Sequence, residues 1–97
     1  MSSQTVLINA DADGNFSYER PMFAYVKAVL VDVGTLGTPD ITVTDSDNNI
    51  SILALTNAVS DAYQPAAAFS PVLGTLSVEV TGASSSGRGR LRFLLET

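Results

Sequence analysis

Oxygen-bearing side chains occur at two places with the spacing that begins a calcium-binding loop. The first is Asp11-Ala12-Asp13-Gly14-Asn15 and the second is Asp45-Ser46-Asp47-Asn48-Asn49. Calcium prefers clustered carboxylate and carbonyl oxygens, so the pattern has a chemical basis.

Neither segment continues as an EF-hand loop requires. Gly14 comes two positions too early, whereas Ile50 stands where the second loop needs glycine and Thr56 where it needs a bidentate glutamate. Turns favour Asp and Asn for backbone reasons alone. We therefore interpret both segments as turns and predict no metal ligand and no cofactor, with a calcium-binding loop of another kind as the alternative.

Three arginines near the C-terminus, Arg88, Arg90 and Arg92, stand at alternate positions and share one face of a strand. Guanidinium groups about 6–7 Å apart repel one another unless acids lie between them. We expect Glu79 on a neighbouring strand to provide cross-strand ion pairs. An acidic partner subunit is the alternative, because the planar guanidinium bonds well to carboxylates. Nucleic acid is disfavoured, because ten acidic against five basic residues give a net charge of −5.

Few side chains in this sequence could perform catalysis. Histidine and cysteine are absent from the 97 residues, so the commonest general base and the thiolate ligands are missing. Serines and threonines therefore lack an activating base, and Lys27 lies inside an apolar segment. We predict that the protein is not an enzyme. A small hydrolase that uses turn acids such as Asp13 or Asp47 is the alternative.

The segments that contain these residues have the sequence pattern of β-strands. Apolar and polar side chains alternate with a period of two in residues 41–44, 76–81 and 90–96. Residues 23–33 are apolar on both parities, which predicts a strand covered on one face by a sheet and on the other by a loop or a neighbouring subunit. A buried helix is the alternative, and the many valines favour the strand. Mixed parity in residues 50–55 predicts a bulge or a short central strand.

Polar and glycine-rich segments separate the strands. We predict a hairpin turn at residues 11–15, a second at 46–49, and a flexible loop at 82–87 that joins the last two strands. Residues 56–71 predict a long ordered crossover, with Tyr63 and Phe69 packing at its ends.

About seven short strands and one long crossover predict an all-β fold, a single antiparallel β-sandwich of the immunoglobulin-like or jelly-roll-like kind. We expect residues 5–97 to form this domain and residues 1–4 to be a flexible N-terminal arm. The longest apolar run, residues 22–33, is interrupted by Lys27 and Asp32 and is too short to span a bilayer, so no membrane association is expected.

The order of features from Thr38 to Glu96 resembles a family of small virion proteins of tailed bacteriophages. Asp40-Ile41-Thr42-Val43-Thr44-Asp45 leads through a polar turn to Ile50-Ser51-Ile52-Leu53. A crossover containing tyrosine and proline follows. A closing pair of strands spans residues 71–82 and 89–95 around a tip rich in serine and glycine.

The resemblance implies a capsid decoration or cement protein that stabilises the head shell by protein–protein contacts. Its partners would be the major capsid protein or other virion proteins, and it would form a homo-oligomer on the particle after synthesis in the host cytoplasm, without contacting nucleic acid. Candidate partner contacts are Arg88, Arg90, Arg92, Tyr63 and Phe69. A tail or neck component and a carbohydrate- or receptor-binding module are the alternatives.

Overall fold

The computed structural model describes residues 2–65 and 70–96, within which the chain forms nine strands. They are β1 (Ser2–Asn9), β2 (Phe16–Pro21), β3 (Ala24–Asp32), β4 (Asp40–Asp45), β5 (Ile50–Leu55), β6 (Asp61–Tyr63), β7 (Ser70–Val72), β8 (Thr75–Thr81) and β9 (Arg88–Glu96). No helix that could cross a membrane occurs in this part of the chain.

The strands form two antiparallel sheets packed face to face, which confirms the all-β sandwich. Sheet A has the order β1-β9-β3-β6, with β7 also paired to β3, and sheet B has the order β2-β8-β4-β5. Alternate side chains of both sheets meet in one core, which includes Ile8 and Phe93 from sheet A and Ile41 and Val78 from sheet B. The intervening side chains point outward, as the period of two requires.

A bulge explains why β3 is apolar on both parities. Its register with β9 shifts between Val26 and Ala28, so the buried positions change from Val26 to Val29. No loop of the described residues covers the second face, on which Tyr25 and Leu30 are exposed, and cover by a neighbouring subunit stays a prediction.

A second bulge lies in β5, and it confirms the prediction drawn from mixed parity. Leu53 stands opposite Val43, whereas Ser51 stands opposite Thr44, so Ile52 is the extra residue. Ile52 and Leu53 are both buried although they are consecutive. The extra residue therefore allows two neighbouring apolar side chains to enter the core.

Only one of the three predicted turns connects strands that pair with each other. Residues 46–49 join β4 to β5, which form an antiparallel hairpin as predicted. The turn at 11–15 joins β1 in sheet A to β2 in sheet B, and the segment at 82–87 joins β8 in sheet B to β9 in sheet A. The hairpin predicted at 11–15 and the pairing of β8 with β9 were therefore wrong.

These two connections bond to each other at one end of the sandwich. The amide of Ala83 donates to the carbonyl of Gly14 at 3.1 Å, and the amide of Ser86 donates to the carbonyl of Asp11 at 2.9 Å. A turn sequence specifies local dihedral angles but not which strands pair, and these backbone bonds favour crossing between the sheets.

The N-terminal residues take part in sheet A instead of forming the expected loose arm. Ser2, Ser3 and Gln4 lie in β1, where they pair with Leu95, Leu94 and Phe93. The backbone ladder accepts polar residues as readily as apolar ones, so low hydrophobicity does not end a strand.

The predicted crossover at residues 56–71 contains two short strands that extend sheet A. Both β6 and β7 pair with β3, on the side opposite β9. Tyr63 is half-buried against the core, and its hydroxyl donates to the carbonyl of Val59 at 3.1 Å. Phe69, the other residue expected to pack at the ends of the crossover, lies outside the described residues.

The contact between the two turns makes Gly14 intolerant of a side chain. Gly14 has a φ of +79°, and a Cβ atom there would overlap the carbonyl oxygen of Ala83. We expect Gly14→Ala to lower the free energy of unfolding by at least about 2 kcal/mol, because backbone strain adds to the overlap. Urea denaturation would measure this loss.

Gly82→Ala is the matched control for Gly14→Ala. Gly82 also has a positive φ, +68°, but nothing lies within 4 Å of a Cβ placed there. We expect a loss of only about 1 kcal/mol from this substitution, because it adds strain without overlap. Equal losses for the two variants would contradict the close contact between the turns.

Candidate functional site

The arginine stripe lies on β9, one of the two inner strands of sheet A. β9 is flanked by β1 and β3, and its alternate residues Leu91 and Phe93 are buried in the core. Arg88, Arg90 and Arg92 have the opposite parity and are exposed. They therefore project from the side of sheet A that faces away from sheet B, which we call the outer face of sheet A.

The ion-pair partner expected for this stripe was wrong. Glu79 lies on β8 in sheet B, opposite Ser17 and Thr42, and so projects from the other side of the sandwich. The acid that meets the stripe is Asp32 of β3, whose Oδ2 lies 3.3 Å from Nε of Arg90. Because β8 and β9 belong to different sheets, their closeness in sequence does not bring Glu79 and the arginines together.

Arg92 and Arg88 make no ion pair with any described residue. Arg92 stands between Thr5 of β1 and Leu30 of β3, and Arg88 stands opposite Asn9 of β1. Neither arginine therefore has a carboxylate directly across a strand. Their charges add to that of Arg90, which makes the middle of this face locally positive in a chain of net charge −5.

Exposed apolar side chains accompany the arginines. The outer face of sheet A includes Leu7, which is 65% exposed and stands opposite Arg90, together with Tyr25 at 48% and Leu30 at 37%. None of these three residues was predicted as a candidate from the sequence. Each is an apolar residue at a position whose neighbours on the adjacent strand are polar. This contrast can be recognised only once it is known which strands pair.

A shallow depression of about 250 Å³ lies on this face. Its lining consists of Thr5, Leu30, Val31, Asp32, Arg90 and Arg92. The depression thus combines the ion pair of Arg90 with Asp32, an aliphatic wall and the guanidinium of Arg92, which has no ion pair in the described part of the chain. A protein surface that presents a carboxylate beside an apolar group would match these features.

The outer face of sheet B differs in chemistry. It presents Ser17, Glu19, Thr42 and Glu79, and the strands of that sheet place no lysine or arginine on the same parity. The two outer faces of the sandwich therefore carry opposite charge. This division favours the outer face of sheet A as the surface that meets an acidic partner.

In the second acidic segment, the carboxylate of Asp45 connects parts of the chain that are distant in sequence. Asp45 is fully buried, and its carboxylate accepts hydrogen bonds from the amide of Leu73 at 3.0 Å, the amide of Thr75 at 3.2 Å and the side-chain amide of Asn48 at 2.8 Å. The bond from Leu73 is the largest cause lowering the pKa of Asp45, followed by the bond from Asn48, and burial opposes them. Asp47 accepts a hydrogen bond from the hydroxyl of Thr75 at 2.8 Å.

The first acidic segment behaves as a turn. The Oδ1 atom of Asp11 accepts hydrogen bonds from the amides of Asp13 and Asn15, both at 2.9 Å. This is the backbone role that the turn interpretation assigns to such residues. Among residues 2–65 and 70–96, no three or more carboxylates come close enough together to hold a metal ion.

The structure does not bring Tyr63 onto the surface that carries the arginines. Tyr63 stands opposite the buried Val29 at the edge of sheet A, so its ring lies on the core side. The candidate site therefore keeps the three arginines and gains Leu7 and Leu30.

Comparison with known proteins found similarity among solved structures. No family model matches the chain, and no curated protein matches it. The crystal structure of the Drosophila NLP core, described for its insight into pentamer formation and histone binding, is similar over the whole of both chains with 14% identity and a TM-score of 0.46.

Proposed function

We propose that this protein is a structural component of a bacteriophage virion, a capsid decoration or cement protein. It would bind the major capsid protein or another virion protein through the outer face of sheet A. The observation that carries this proposal is the position of Arg92, without an ion pair among the described residues, beside exposed Leu7 and Leu30 in the middle of an open sheet face. The resemblance of Thr38–Glu96 to small tailed-phage virion proteins supports it.

A decoration protein stabilises a shell by adding protein–protein contacts, and the outer face of sheet A has residues suited to such contacts. Arginine and aromatic side chains, here Arg92 and the exposed Tyr25, are enriched where proteins bind each other, because they combine directed hydrogen bonds with buried apolar area. A shell repeats the same surface many times, so a modest energy for each copy is multiplied when copies are linked. The protein would thus be made in the host cytoplasm and function on the particle, as repeated copies.

Quantitative mass spectrometry of purified virions tests the assignment. A decoration protein should occur in a fixed ratio to the major capsid protein, because each capsomer offers the same site. A few copies in each particle would indicate the tail or neck instead. Absence from the particle, or retention of DNA at moderate salt without binding to particles, would overturn the proposal.

The arginines should determine affinity for the particle. We expect Arg88→Ser with Arg92→Ser to weaken binding to undecorated particles by at least about tenfold, because two charges that complement an acidic surface are lost. Co-sedimentation of the purified protein with such particles would measure the change.

A control for this double variant must change net charge without touching sheet A. Ser51→Glu with Ala54→Glu changes the net charge by the same amount on exposed positions of β5 in sheet B. Its binding to particles should stay within about twofold of the unmodified protein, since distant surface charges are largely screened. Equal loss in both double variants would mean that net charge, and not this face, determines binding.

A further inference from the structure

The sandwich has strands at the edges of both sheets, and these edges differ in how they are protected. β1 lies at one edge of sheet A, and β6 and β7 lie at the other, whereas β2 and β5 are the edges of sheet B. An edge strand exposes backbone donors and acceptors that can pair with another chain. Charges, proline, bulges and short length are the features by which proteins prevent this.

Three of these edges carry such features. β2 contains Glu19, Arg20 and Pro21. β5 contains a bulge. β6 and β7 have three residues each and include Asp61 and Pro71.

β1 is the exception. It has eight residues, Ser2–Asn9, without a charge or a proline, and its register with β9 is unbroken from Ser2 opposite Leu95 to Asn9 opposite Arg88. Its other side pairs with no strand among the described residues. The longest edge strand in the described part of the chain is therefore also the one whose own residues provide none of these protective features, and the one charged group that bonds to its side chains is the guanidinium of Arg20 in β2, which donates to Oε1 of Gln4 at 2.8 Å among the described residues.

We propose that this edge of β1 binds β1 of a second copy of the chain, antiparallel and about a two-fold axis, so that two copies of sheet A form one continuous sheet. A two-fold contact needs only one surface, because each copy presents the same strand to the other. Backbone hydrogen bonds would provide the pairing, as they do when a strand is added to a sheet edge.

The distribution of charge favours β1 over the rest of the surface for contact between two copies. Two chains that each carry a net charge of −5 repel each other over most of their surfaces. β1 has no charged residue, so antiparallel pairing of two β1 strands places no like charges opposite each other. The neutral edge is thus the place where two acidic copies approach at least electrostatic cost.

This inference goes beyond the proposed function and does not depend on it. In the pair, the outer faces of both copies of sheet A would lie on one surface and present both sets of arginines together. A partner with repeated sites could then be bound by two linked faces.

Sedimentation equilibrium over a concentration series, on the full chain, tests the pairing. The unmodified protein should form a dimer, and Thr5→Glu with Leu7→Glu should weaken the dimer by at least about tenfold, because both copies would bring carboxylates to the seam. Within the chain the new glutamates face Arg92 and Arg90, so the fold itself should be retained. Circular dichroism and the melting temperature would verify that.

Ser51→Glu with Ala54→Glu again serves as the control of equal charge, and it should remain a dimer. Amide hydrogen exchange gives a second measurement, in which the amides of β1 should exchange more slowly at high than at low protein concentration. A monomer at every concentration, or a dimer that the β1 variant leaves intact, would overturn the proposal. So would protection of β1 only on addition of a different protein, because the occupant would then be a different chain.

Discussion

Replacement of Asp45 by alanine is expected to lower the free energy of unfolding by about 3 kcal/mol or more. The buried carboxylate accepts hydrogen bonds from the backbone of Leu73 and Thr75 and from the side chain of Asn48. Hydrogen bonds to a charged group contribute about 1.5–3 kcal/mol, and donors left without an acceptor in a buried place add to the loss. Urea denaturation at neutral pH would measure it.

The same carboxylate should make stability depend on pH. Because the hydrogen bonds, first that from Leu73, lower the pKa of Asp45 below its ordinary value of 3.8, its contribution is fully present above that value. The contribution is lost as the pH falls through the lower pKa of the folded state. The difference in stability between the unmodified protein and the Asp45→Asn variant should therefore be constant near neutrality and shrink in acid.

Asp47→Ala is the control for the Asp45 prediction. The two residues lie close together in sequence, but Asp47 is exposed and accepts one hydrogen bond, from the hydroxyl of Thr75. Its removal should cost about 1 kcal/mol. Equal losses at the two positions would contradict the role assigned to the buried carboxylate. A stability difference between the unmodified protein and the Asp45→Asn variant that does not change with pH would also contradict it.

Phe93→Ala is expected to lower the free energy of unfolding by about 3–5 kcal/mol, as for other large side chains removed from a packed core. Phe93 is among the largest fully buried side chains and lies on an inner strand of sheet A. Since domains of this size are stable by only about 5–15 kcal/mol, the variant should unfold at a much lower temperature. Thermal denaturation followed by circular dichroism would show this.

Leu94→Ala provides the comparison within the same strand. Leu94 is the next residue in β9 and lies half-buried on the outer face of sheet A. Its truncation should cost about 1 kcal/mol, because less of the side chain leaves water on folding. A larger loss at Leu94 than at Phe93 would mean that β9 faces the other way, and the arginines would then not share the outer face.

The sequence predicted the features that depend on neighbouring residues. A period of two in residues 41–44 and 76–81 identified β4 and β8, because alternate side chains of any strand face opposite sides. The turn at 46–49 and the bulge in β5 were also predictable, since turn residues and mixed parity are local signals.

The tertiary structure decided which strands are neighbours. Local alternation is the same whether β8 pairs with β9 or with β2. Glu79 was therefore expected beside the arginines, whereas the acid that pairs with Arg90 is Asp32. Two polar, glycine-containing turns take the chain from one sheet to the other, and they bond to each other at one end of the sandwich.

The order of residues along the chain determined that strands would form and that they would bury their apolar faces in a sandwich, because alternation and turn chemistry act within a few residues. Only the folded chain placed Arg92 between Thr5 and Leu30, buried Asp45 and left the edge of β1 without a neighbouring strand among the described residues. Those outcomes depend on residues far apart in sequence, whose pairing is chosen by the burial of the whole core and not by any segment alone.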